Sequence, residues 1–99
     1  MFNRLFIMSN YVEFDNRITF HPGYYIKELV EDSGLSLEDY AKKLGTSTNC
    51  LSALISGKKS LSGSIAEELS FLTGTSVSYW LNIQQTYDET LKLLRSHKE

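Results

Sequence analysis

Ninety-nine residues, 41% of them hydrophobic and one a proline, set the scale of a single small domain with a modest core. A formal net charge of −2 argues against a protein that grips nucleic acid by bulk charge, because such affinity comes from a basic surplus. One cysteine (Cys50), no His/Cys cluster at metal-ligand spacing and no run near the roughly 20 apolar residues of a membrane span leave no expectation of a disulfide framework, a metal centre or a spanning helix.

In chain order, Arg4 followed by Leu5, Phe6, Ile7 and Met8 imitates a signal peptide. The apolar run falls short of the roughly 7 to 15 residues that an export signal needs, so a cytoplasmic protein is expected, with Met8 an alternative start. Residues 11–20, YVEFDNRITF, alternate apolar and polar around Asp15 and Asn16. Residues 1–20 therefore read as an extended N-terminal arm or a short strand pair. Pro22 suits the first turn of a helix, and Tyr25, Ile26, Leu29 and Val30 recur at helical spacing up to Gly34. Ser36 caps a second helix whose first turn carries Glu38 and Asp39 and whose stripe is Tyr40, Ala41 and Leu44, stopped at Gly45. Ser47 caps a third with Leu51, Leu54 and Ile55 inward, stopped at Gly57. Ser62 or Ser64 starts a fourth with Ile65, Ala66, Leu69 and Leu72, stopped at Gly74. Ser76 starts a fifth along Val77, Trp80, Leu81, Ile83, Gln84, Tyr87, Leu91 and Leu94. Helices two and three are joined by about three to four residues that include a glycine, the spacing of a helix-turn-helix.

The segment His21 to Glu89 resembles the HigA-type antitoxins of the XRE, or lambda-repressor-like, helix-turn-helix group. The resemblance rests on His21-Pro22-Gly23, Leu44-Gly45, Ile55-Ser56-Gly57-Lys58-Lys59, and Tyr79-Trp80-Leu81-Asn82-Ile83-Gln84 with Tyr87 after it. It implies an all-α, five-helix domain over residues 21–95 that ends in a dimerisation helix. It also implies two tasks: neutralising a RelE-like (HigB-type) mRNA-cleaving toxin and repressing the antitoxin's own operon by binding double-stranded operator DNA as a homodimer.

In a helix-turn-helix the first residues of the second helix enter the major groove, which here selects Ser47, Thr48, Asn49 and Ser52. Asn49 is the candidate base reader, since its amide can pair with N6 and N7 of adenine. Lys58 and Lys59 are the expected phosphate contacts, with Lys42 or Lys43 contributing less. Residues 36–62 hold four lysines against Glu38 and Asp39, a local surplus of two positive charges in an acidic chain. Relative to the family, Leu37 stands where a phosphate-contacting glutamine is usual, and Thr48 and Ala53 stand where arginines are frequent. Two alternatives therefore stay open: a stand-alone XRE-type repressor without a toxin, and a toxin-binding module with little DNA affinity.

Trp80 and Leu81 are expected inward, with Tyr79, Ile83, Tyr87 and Leu91 at a dimer surface, because the fifth helix carries apolar residues on more than one face. A basic nuclease suits an acidic docking surface, for which Glu13, Asp15, Glu28, Glu31 and Asp32 are the candidates. Cys50 reads as a small apolar residue and His21 as a capping or packing residue. No serine has a base beside it and no glycine loop cradles a phosphate, so neither enzyme activity nor a cofactor is expected.

Overall fold

The computed structural model describes residues 6–7, 11–14 and 17–96. Three short strands, β1 (Phe6–Ile7), β2 (Tyr11–Phe14) and β3 (Arg17–Phe20), precede five helices. These are α1 (Pro22–Ser33), α2 (Leu37–Lys43), α3 (Thr48–Ile55), α4 (Gly63–Thr73) and α5 (Val77–Ser96). The strands form an antiparallel sheet in the order β1-β2-β3, with Tyr11 opposite Phe20 and Phe14 opposite Arg17. Alternation over residues 11–20 yields the expected pair. The third strand was not expected, because two residues are too few to show a period. The turn expected at Asp15 and Asn16 lies outside the described residues.

Each helix starts where a short acceptor side chain can take an otherwise unpaired N–H. Ser36 accepts from the Asp39 N–H, Ser47 from Cys50 and Ser76 from Tyr79, each at 3.0 Å, and Ser62 from Ile65 at 3.3 Å. His21 fills the same role for α1, its Nδ1 accepting from the Gly23 N–H at 2.9 Å. Helix ends fall at glycines: Gly34 and Gly74 take the left-handed φ of 76° and 78° that a side chain disfavours.

Ile26, Ala41, Leu44, Leu51, Leu54, Ala66 and Leu69 form the centre of the core, closed by Trp80 from α5. The N-terminus of α1 lies directly on the end of α3. A Cβ added at Gly23 would stand 2.0 Å from the Leu54 carbonyl oxygen, so only glycine permits the contact.

The buried stripe of α5 runs Trp80, Gln84, Tyr87, Thr90, Leu94, and this corrects two expectations. Leu81 is exposed, because it lies about 100° around the helix from Trp80. Tyr87, expected at a dimer surface, is buried within the chain instead: it shares the Trp80 face, is 6% exposed, and meets His21 edge-on with ring centroids 5.0 Å apart. On α4, Leu72 is likewise exposed. The second half of α5 packs Tyr87, Leu91 and Leu94 in a separate small cluster, and the sheet is fastened to it where the Thr19 and Thr90 hydroxyls lie 3.2 Å apart.

Candidate nucleic-acid interface

Two helix ends of the same design give the α2–α3 elbow its rigidity. At the end of α2, Gly45 (φ 71°) lets its own N–H reach the Lys42 carbonyl at 3.1 Å, while the Thr46 N–H reaches Ala41 at 3.0 Å. At the end of α3, Gly57 (φ 81°) does the same, its N–H meeting Leu54 at 3.1 Å and the Lys58 N–H meeting Ala53 at 2.9 Å. This double bond pattern closes a helix end in a fixed direction. It therefore sets where α3 enters and where the chain leaves toward Lys58 and Lys59.

The inner side of α3 is occupied: Leu51 and Leu54 are fully buried, while Cys50 and Ile55 are half-buried against the core. Its outer side is free. Ser47, Thr48, Asn49 and Ser52 are all exposed, and so are Lys42, Lys43, Lys58 and Lys59 at its two ends. Ser47 is the cap rather than a helical residue. Its oxygen is taken by the Cys50 N–H and its O–H stays available to an acceptor outside the protein. The Thr48 and Asn49 side chains make no hydrogen bond among the described residues, so their donors and acceptors are open. An uncharged hydrogen-bonding patch flanked by lysine pairs suits a groove floor between two phosphate strands. Leu37 is half-buried and packs against the core, so the position that a glutamine often holds in relatives has been given to packing.

The remaining candidates fall elsewhere. Tyr79 (48% exposed) and Ile83 line an uncharged groove of about 380 Å³ between β3, α1 and α5, together with Ile18, Phe20, Tyr25 and Asn82. Leu91 is half-buried beyond it. Glu28, Glu31 and Asp32 share one exposed face of α1, where Glu31 lies 3.9 Å from Lys27. Glu13 lies on β2, away from that face in sequence, and Asp15 is outside the described residues. Among the described residues no group of His, Cys, Asp and Glu could hold a metal, and no helix is long and apolar enough to cross a membrane.

The fold has known counterparts. The helix-turn-helix family profile matches residues 26–80, more than half of the chain. A HigA-family addiction-module antidote protein from Coxiella burnetii is 34% identical with a TM-score of 0.72, the match covering 80% of this chain and 87% of that one. The antitoxin HigA of Pseudomonas aeruginosa, solved with the higBA promoter, has the same fold at a TM-score of 0.73 and 22% identity, over 80% of this chain and 87% of that one. Virulence-associated protein A' of Dichelobacter nodosus is 35% identical over 69% of this chain, and the chain spans 60% of that relative's length. An elbow closed by two glycines, an outward polar face on α3 and these likenesses lead to one conclusion: the chain belongs to the XRE-type helix-turn-helix family, among the HigA-like antitoxins.

Proposed function

We propose that this protein is the antitoxin of a two-gene toxin–antitoxin pair: a cytoplasmic homodimer that represses its own operon through operator DNA and neutralises a RelE-like, HigB-type mRNA-cleaving toxin. The observation that carries the DNA half is the open polar face of α3, held by two glycine-closed helix ends and flanked by lysines. Asn49 reads an adenine edge, and Thr48, Ser47 and Ser52 adjust the fit with hydroxyls and a methyl group. Lys58 and Lys59, with Lys43, hold the backbone. The Pseudomonas aeruginosa counterpart bound to its promoter supports this half. Dimerisation through the uncharged groove at Tyr79 and Ile83, with Leu91 at its far end, presents two copies of α3 to half-sites about 34 Å apart. The acids of α1, Glu28, Glu31 and Asp32, with Glu13 and Asp15 from the arm, are the docking surface for the basic toxin.

The test is a mobility shift on the DNA upstream of the gene, repeated with the product of the neighbouring reading frame. Binding that tightens steeply as salt falls and is lost in Lys58→Ala/Lys59→Ala supports the repressor half. Co-purification with the neighbouring product supports the antitoxin half, and a neighbour that neither binds nor is toxic leaves a stand-alone repressor. One observation favours the other alternative, a toxin-binding module with little DNA affinity: Leu37, Thr48 and Ala53 offer no charge to phosphates. Weak, salt-independent DNA binding together with co-purification of the neighbouring product would establish it.

A further inference from the structure

The loop from α3 to α4 carries Lys58 and Lys59, and buried hydrogen bonds hold its backbone. The Leu61 N–H donates to Oε1 of Gln84, 23 residues further on, across 2.8 Å. Nε2 of the same amide donates to Oδ1 of Asp88 at 3.0 Å, which keeps the amide oxygen turned toward the loop. Gln84 is 6% exposed and His21 is 1% exposed. Because Nδ1 of His21 accepts from the Gly23 N–H, the neutral ring carries its proton on Nε2. The buried Gln84 amide on α5 thus grips the loop at Leu61, just past Lys58 and Lys59.

We propose that Gln84, itself held by Asp88, forms a polar latch that positions the Lys58–Lys59 loop for contact with DNA phosphates. The inference rests on the reading in which these lysines grip phosphate.

The experiment is fluorescence anisotropy of the full chain on a labelled duplex of its upstream sequence, titrated with salt. Each lysine–phosphate contact contributes about 0.9 to the slope of log Kobs against log salt. Gln84→Leu lowers that slope by about 1 to 2, toward the value of Lys58→Ala/Lys59→Ala, and adds nothing on top of that pair. Should Gln84→Leu not fold, a swapped pair carries the test. Gln84→Glu alone sets two carboxylates together and lowers the slope; adding Asp88→Asn restores it, since the carboxylate still accepts from Leu61 and the new amide donates back. A lysine-dependent slope that ignores Gln84→Leu and the swapped pair overturns the latch alone. A wild-type protein that does not bind the duplex overturns the latch and the DNA-binding reading together.

Discussion

The α2–α3 elbow and the seam between α5 and the α3–α4 loop are held by opposite chemistry. The elbow is apolar inside, with Ala41, Leu44, Leu51 and Leu54 buried and its backbone closed by glycines. The seam is polar inside, with His21, Gln84 and Thr90 buried, and Gln84 and Thr90 reach partners 23 and 71 residues away. Apolar burial is non-directional and indifferent to pH, so the elbow keeps its shape under any condition in which the protein is folded. A buried polar group stabilises only while its partner keeps the right protonation and geometry. The face proposed to read bases is thus held by apolar burial, and the loop proposed to hold phosphates is held by a buried amide.

The sharpest way to break this contrast is at the elbow. Leu51→Ala should cost about 2 to 5 kcal/mol in urea unfolding. That loss should be the same at neutral and mildly acidic pH, while Gly23→Ala, whose methyl meets the Leu54 carbonyl where α1 begins, should cost about 3 kcal/mol. Next, Asn49→Ala should weaken binding to the cognate duplex by about 1 to 3 kcal/mol while leaving non-specific binding unchanged, as read by anisotropy on both duplexes. An equal loss on the two would make Asn49 a backbone contact.

Removing a cap tests both regions by the same chemistry: Ser36→Ala and Ser62→Ala should each cost about 1 kcal/mol in thermal unfolding. The seam alone should respond to acid. His21 has its pKa lowered in the folded state, so its neutral form's contribution is complete above the unfolded value of 6.5 and drains as pH falls below it toward the folded value. Stability of the wild type should therefore fall between about pH 7 and pH 5.5 by more than that of His21→Asn; parallel curves would deny the histidine any share. The smallest effect belongs to the surface, where losing the exposed Lys27–Glu31 pair should change stability by less than about 0.5 kcal/mol.

The same contrast explains what could be read in advance. Ser36, Ser47, Ser62 and Ser76 announce helix starts, and Gly34, Gly45, Gly57 and Gly74 announce stops, because capping chemistry is local. The inner stripes of the first four helices follow from period 3.6 over residues such as Ile26, Leu51 and Leu69, with Leu72 the exception. On α5 the same rule, counted from Trp80, puts Gln84 and Tyr87 inward and Leu81 outward, but apolar content alone does not. What the rule does not supply is the partners: Gln84 meets Leu61 and Thr90 meets Thr19, 23 and 71 positions away, and such pairs leave no trace in a local window. Tyr87 has His21 for its neighbour, which the sequence marks as a cap and not as a wall. Serine and asparagine at the start of α3 were legible as a face, since Leu51 and Leu54 fix the opposite side.

The meeting of Thr19 with Thr90 also bears on how the molecule is made. Helices α1 to α4 can gather as they leave the ribosome, since their partners are already synthesised. β2 and β3 must wait, because they rest on the fifth helix and Thr19 meets a partner made 71 residues later. A sheet that precedes every helix in the chain thus takes its seat only after the helices are assembled.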